Sequence, residues 1–106
     1  MAVSIKMFIG NSSVIKLEAL RFEGSTTYVD DAVVEATLTD TDGNDVTGEN
    51  WPVTLDYISG SNGEYSQILP ATIDLTENEL YYMTIVATSG DNVAQWRKQV
   101  RALNRS

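Results

Sequence analysis

Carboxylates are the only side chains in this sequence that are numerous enough to suggest acid–base or metal chemistry. The chain has 15 Asp and Glu residues but no histidine and no cysteine. Thiol, Ser-His-Asp and zinc-cysteine chemistries therefore lack an essential residue, and no phosphate-binding glycine loop or HExxH pair is present. A glycosidase needs two carboxylates flanking a cleft, whereas these acids fall in turns or on polar faces of strands. We expect no enzymatic activity, no catalytic residue and no cofactor.

The densest acidic stretch, DTDGND, resembles half of a calcium-binding loop. Asp40, Asp42 and Asn44 would supply alternating oxygen ligands around a glycine turn, which suits a hard cation. An EF-hand loop carries glutamate at its twelfth position, where this chain has Trp51. We therefore predict an ordinary acidic hairpin turn without a metal, and calcium held by these three residues is the alternative.

Four aromatic residues form a second candidate site. Trp51, Trp96, Tyr57 and Tyr65 would make a sugar-stacking platform if their rings were exposed together. The pattern favours core packing for Trp51 and Trp96, because each tryptophan shares its predicted strand face with apolar residues.

Charge is distributed unevenly along the chain. The net charge is −8, which disfavours a protein that binds duplex nucleic acid through phosphate contacts. From Trp96 onward there are four basic residues and no acid, whereas the preceding part has three basic and all 15 acidic residues. Arg97, Lys98, Arg101 and Arg105 are interpreted either as the outer face of a last strand beside acidic neighbours or as an arm that docks on an acidic partner.

The elements that position these residues are strands, because apolar and polar residues alternate with period two along most of the chain. Seven such segments lie near residues 3–10, 14–22, 32–40, 51–58, 64–69, 80–88 and 93–103. Asp42-Gly43 and Asn62-Gly63 are dipeptides that favour hairpin turns. The chain is thus predicted to be all-β, an immunoglobulin-like antiparallel β-sandwich of about seven strands in a single domain over residues 1–106.

The segment LTENELYYMTIVA indicates how two of these strands are joined. A leucine, a polar corner and then Tyr81 at the head of an alternating strand is typical of the tyrosine corner of immunoglobulin-like folds, in which the hydroxyl bonds to upstream backbone. The alternative is that Tyr81 is simply a strand-forming residue.

The run from Asn11 to Pro70, together with the LTENELYYMTIVA corner and the basic QWRKQVRAL strand, resembles small tailed-phage and prophage proteins encoded among head and tail morphogenesis genes. The shared features are a DG hairpin, a WP strand start, a corner tyrosine and a G-x-Y-x-x-x-L-P strand at Gly63, Tyr65, Leu69 and Pro70. The resemblance covers nearly the whole chain and implies a virion-associated or assembly protein with an immunoglobulin-like, fibronectin-type fold, at the head–tail junction or in the tail. It implies no catalytic residue.

The expected function is therefore a non-enzymatic structural or assembly module of a phage or prophage particle. Its partners would be other phage structural proteins or a second copy, with no nucleic acid and no membrane. We expect it in the virion, or in the bacterial cytoplasm before assembly, because the sequence shows no signal peptide, no spanning stretch and no cysteine. The alternatives are a small ligand-binding β-sandwich for carbohydrate or calcium, and an acidic mimic of nucleic acid.

Overall fold

The computed structural model describes residues 2–4, 7–21 and 27–103, and the regular secondary structure in these ranges consists of strands. The strands are β1 (Ala2–Ser4), β2 (Met7–Phe8), β3 (Ser13–Glu18), β4 (Val33–Thr39), β5 (Val53–Tyr57), β6 (Tyr65–Leu69), β7 (Leu80–Ser89) and β8 (Asn92–Leu103). Within the described ranges, no helix has the length and apolar character needed to cross a membrane.

The strands form one sheet in the order β1-β3-β6-β5-β4-β7-β8-β2. The two end strands of this order, β1 and β2, both come from the N-terminal segment, so the sheet nearly closes around the core. The first predicted strand is thus divided into two short strands, β1 and β2, so the described residues contain eight strands where about seven were predicted. The expectation of a wholly antiparallel sandwich is wrong at one place, because β2 runs parallel to β8 while the other neighbours are antiparallel.

The immunoglobulin-like sandwich is recognisable in the two halves of this sheet. One half is β1-β3-β6 and the other is β4-β7-β8-β2, and β5 joins them. Residues 53–55 of β5 pair with β4, whereas Asp56 and Tyr57 pair with β6. The Gln67 side chain donates to the Thr54 carbonyl at 2.9 Å where β5 passes from one half to the other. The predicted all-β, immunoglobulin-like class is confirmed.

The core lies between the two halves and follows the predicted alternation. On β4 the buried residues are Val34, Ala36 and Leu38, and on β7 they are Tyr81, Met83, Ile85 and Ala87. β7 lies between β4 and β8, as expected for its apolar character on both faces. All buried hydrophobic residues of the described ranges belong to one cluster.

The Asp42-Gly43 turn lies where the sequence predicts it. Gly43 has φ 88°, and its N–H donates to the Asp40 carbonyl at 3.1 Å. A single bridge from Thr39 to Asp45 follows, and β5 begins only at Val53.

The hairpin indicated by Asn62-Gly63 is confirmed, because β5 and β6 are antiparallel neighbours joined by a loop that contains this dipeptide. Its tight turn runs from Ile58 to Ser61, with the Ser61 N–H donating to the Ile58 carbonyl at 3.1 Å. Glycine is required at position 63 because its φ is 66° and a Cβ there would lie 2.7 Å from the Leu20 nitrogen, whose N–H donates to the Gly63 carbonyl.

Candidate functional site

The four candidate aromatic residues do not form one open platform. Trp51 lies just before β5 and Trp96 lies on β8, and β4 and β7 separate these two strands. Trp51 Nε1 donates to the Val46 carbonyl at 2.6 Å, and both tryptophans pack partly buried against the core. The Tyr65 ring is 1% exposed and tilts against Tyr57 at a centroid distance of 5.6 Å. These rings contribute to the core, and Tyr65 offers no face on which a sugar could stack.

The Tyr65 hydroxyl ties β6 to the connection that precedes β4. It donates to the Val29 carbonyl at 2.7 Å and accepts from the Ala32 N–H at 3.1 Å. The pKa of Tyr65 is raised, chiefly because burial disfavours the phenolate. The Ala32 N–H lowers this pKa, and the carboxylates of Asp30 and Asp31 raise it. The hydroxyl thus remains protonated and has a structural role.

Tyr81 makes the contact that defines a tyrosine corner. Its hydroxyl accepts the backbone N–H of Thr76, five residues upstream, at 2.8 Å. The intervening turn has Asn78 at φ 65°, and the Glu79 N–H donates to the Thr76 carbonyl at 3.1 Å. Tyr81 therefore holds the connection by which the chain passes from β6 to β7.

The acidic turn uses one of its three candidate ligands to cap its own backbone. Asp40 Oδ1 accepts the N–H groups of Asp42 and Asn44 at 2.9 and 3.0 Å. In the part of the chain that the structure describes, no three Asp, Glu, His or Cys side chains are grouped so that they could hold a metal ion. The turn is stable as an Asx-type cap, whose geometry needs no cation.

An open cleft of about 310 Å³ lies between this turn and the tyrosine corner. Its lining includes Asp40, Asp45, Asp74, Glu79 and the ring of Tyr81. Four carboxylates around one cleft give it a strongly negative potential, which disfavours ligands that carry phosphate.

The basic residues of β8 do not form one patch. Arg97 and Arg101 lie on the outer face of the sheet, where the Arg97 guanidinium carbon is 3.9 Å from the centroid of the Tyr82 ring. Arg101 Nη1 donates to the Asn78 carbonyl at 2.8 Å, so this residue fastens β8 to the corner turn. Of the two arginines, Arg97 is the one that presents its charge along the middle of the strand.

Lys98 belongs to the opposite face of β8. Side chains alternate along a strand, and Lys98 lies opposite the buried Met83 in the register with β7, although its own side chain is exposed. Arg105, the fourth predicted docking residue, lies outside the described residues.

The outer edge of β8 is open along most of its length. β2 pairs only with Ala102 and Leu103, although β8 begins at Asn92. In the described ranges, no other strand lies on this side of β8. Among the strands that the structure describes, the segment from Asn92 to Arg101 thus has a neighbour on its β7 side alone.

The direction of the backbone groups on this edge follows from two hydrogen bonds. The Ala102 N–H donates to the Glu79 carbonyl on the β7 side, and the Leu103 carbonyl accepts the Ile9 N–H on the opposite side. Antiparallel pairs alternate in this sense, and the β7–β8 register runs without interruption. Odd-numbered residues therefore direct N–H and C=O away from β7, namely Val93, Gln95, Arg97 and Gln99.

The edge of β8 has few of the features that prevent pairing with a further strand. Edge strands usually avoid pairing by being short, by carrying proline or by bulging. β8 has 12 residues, contains no proline and keeps a regular register. The charges of Arg97 and Lys98 are the main feature that protects β8 against pairing with another strand. They repel a basic strand but not an acidic one.

The sequence analysis identified the charges of this strand but not its open backbone. Val93, Gln95 and Gln99 were not singled out, because their importance depends on which strand lies beside β8. The sequence contained one indication of the open edge: the last predicted strand, near residues 93–103, is longer than the predicted segment near residues 3–10 and could not be paired with it along its whole length.

Comparisons with known proteins add no family to these observations. No protein-family model matches the sequence, and no curated protein matches it. The protein class therefore rests on the strand order and the core, which define an all-β sandwich, and in the described ranges the edge of β8 is open over most of its length.

Proposed function

We propose that this chain is a non-enzymatic assembly module of a tailed-phage or prophage particle, in the tail or at the head–tail connection, and that it binds other proteins of the particle through the open edge of β8. It would be made in the bacterial cytoplasm and then become part of the virion.

The observation that carries this proposal is the unpaired edge from Asn92 to Arg101. Unpaired backbone N–H and C=O groups bind a partner strand well, because each added ladder bond replaces two bonds to water and fixes the relative orientation. Three of the candidate residues have structural roles: Asp40 caps a turn, and the hydroxyls of Tyr65 and Tyr81 bond to backbone.

The particle itself is inferred from the resemblance to small phage morphogenesis proteins. That resemblance is carried by the DG hairpin, the WP strand start, the corner tyrosine, the G-x-Y-x-x-x-L-P strand and the basic last strand, which is β8 itself. The net charge of −8 is consistent with a role in protein contacts rather than in packaging nucleic acid.

The test is co-expression of this chain with the proteins encoded by its neighbouring genes, followed by purification and cross-linking with an amine-reactive reagent. We expect the chain to co-purify with a head, connector or tail protein. Cross-links from Lys98 on β8 should exceed those from Lys16, which lies on β3 in the other half and serves as an internal control.

The proposal would be refuted if the chain were absent from purified particles and from every assembly intermediate. A gene located among sugar-utilisation genes, with no portal, terminase or tail gene nearby, would contradict it as well.

A further inference from the structure

The chemistry of β8 restricts the kind of partner that can occupy its open edge. The strand from Asn92 to Leu103 carries three basic side chains and no acidic one. The remainder of the described chain is strongly acidic. Among the described strands, β8 alone has a net charge of +3. Its occupant must therefore be selected by charge as well as by backbone pairing.

A second copy of this chain fits the edge poorly. The described strands that carry acidic residues are β3, β4 and β5, and each of them has a neighbouring strand on both sides. Among the described strands, a second copy could offer its β8 or its end strand β1 to this edge, and neither carries an acidic residue. Pairing β8 with β8 would set three basic residues against three basic residues, and like charges on facing strands destabilise the pair.

The two faces beside the edge differ in character. Arg97 lies on the outer face, stacked on Tyr82, and the exposed Val93 lies near the start of the same strand. Trp96 lies on the inner face, packed partly buried against the core. A strand added here would place alternate side chains over Arg97 and beside Trp96.

We propose that the open edge of β8 binds an extended segment of another polypeptide, as an additional strand, whose side chains alternate between acidic residues on the side of Arg97 and apolar residues on the side of Trp96. This inference rests on the proposed function and specifies the partner: a protein with an acidic, alternating segment that is free to extend.

The test uses the full chain and a synthetic nine-residue peptide in which glutamate alternates with valine. A matched peptide with lysine in place of glutamate is the control. Binding is measured by titration, and hydrogen exchange is followed by NMR at each amide of β8. At ten times the dissociation constant the site is about nine-tenths occupied, so exchange at a directly paired amide should slow about tenfold.

The expected protection has a two-residue period. The amides of Val93, Gln95, Arg97 and Gln99 should slow on addition of the glutamate peptide. The amides of the even-numbered residues, already bonded to β7, should change little. The lysine peptide should protect neither set.

Two variants separate backbone pairing from side-chain contact. Gln95→Pro removes an outward N–H without removing a bond to β7, a position at which edge strands tolerate proline, whereas Gln95→Ala removes only the side chain. We expect Gln95→Pro to abolish binding and Gln95→Ala to retain it. If thermal unfolding shows that Gln95→Pro is not folded, Arg97→Glu decides instead, and it should bind the lysine peptide in preference to the glutamate peptide.

Three results would overturn the inference. The first is binding of the glutamate peptide without the alternating protection. The second is no binding of this peptide at all. The third is protection of the odd-numbered amides that rises with protein concentration in the absence of peptide, which would identify a second copy as the occupant. The proposed function would survive each of these if the chain still co-purified with particle proteins, so the two failures are distinguishable.

Discussion

Replacing Gly63 with alanine should destabilise the protein far more than the same change at Gly60, although both glycines lie in the loop between β5 and β6. Both have positive φ, 66° and 81°, so alanine costs about 1 kcal/mol at either position for the left-handed backbone alone. A Cβ at Gly60 meets no atom within 4 Å. A Cβ at Gly63 would lie 2.7 Å from the backbone nitrogen of Leu20 and 2.9 Å from its carbonyl oxygen.

The additional cost at Gly63 follows from what must move. Leu20 is buried, and its N–H donates to the Gly63 carbonyl at 2.9 Å. The Gly63 N–H donates to Asp30 Oδ1, also at 2.9 Å. Moving the backbone at Gly63 away from Leu20 to admit a methyl group weakens both hydrogen bonds, at a cost of about 1 kcal/mol each. We therefore expect Gly63→Ala to cost about 3 kcal/mol in total, about 2 kcal/mol more than Gly60→Ala.

Urea denaturation of the two variants and of the parent measures this difference. The change in unfolded-chain entropy on going from glycine to alanine is common to both variants and cancels in the comparison. With the slope typical of a domain of this size, the midpoints should differ by on the order of 1 to 2 M urea. Equal midpoints, or a lower midpoint for Gly60→Ala, would show that Gly63 is not held against Leu20.

Three further substitutions test the buried hydroxyls and the acidic turn. Tyr65→Phe should cost about 2 kcal/mol at neutral pH, because it removes one donated and one accepted hydrogen bond. Folding raises the pKa of Tyr65, so the contribution of its hydroxyl to the free energy of unfolding is complete below about pH 10 and decreases as the pH rises further. The difference in this free energy between parent and variant, measured by urea denaturation from about pH 8 to 11, should therefore narrow. A constant difference would contradict the raised pKa. Tyr81→Phe should cost about 1 kcal/mol by leaving the Thr76 N–H without its acceptor, whereas Tyr82→Phe, on the outer face, should cost less in the same urea titration. Asp40→Ala should cost about 1 to 2 kcal/mol through loss of the turn cap. For the unmodified chain, melting temperatures with calcium and with a chelator should agree, and a clear increase with calcium would revive the candidate site.

Local alternation explains why so much of the core could be predicted. Val34, Ala36 and Leu38 point inward because a strand has a period of two, and this period is visible in any short window of sequence. The tyrosine corner belongs to the same class, because Tyr81 and Thr76 are five residues apart. Both depend on neighbours along the chain rather than on the overall topology.

The features that sequence analysis missed depend on residues that are far apart in the chain. Gly63 was interpreted as a turn residue because its requirement for close approach comes from Leu20, 43 positions away. Lys98 and Arg101 were grouped with Arg97 by counting charges, but alternation places Lys98 on the other face and Asn78 engages Arg101. The open edge of β8 was not visible either, because it depends on how short the pairing with β2 is.

The parallel pair of β2 and β8 also determines when this protein can finish folding during synthesis. Met7 pairs with Ala102, so the contact between β2 and β8 joins residues that are far apart in the sequence. On the ribosome, Met7 remains without this neighbour until residues 102 and 103 have left the exit tunnel. Contacts of such long range also slow folding, because loop closure must precede the stabilisation they supply. The nascent chain consequently exposes the edge of β7 and part of the core until β8 is made, and a translation pause before β8 would prolong an aggregation-prone stage.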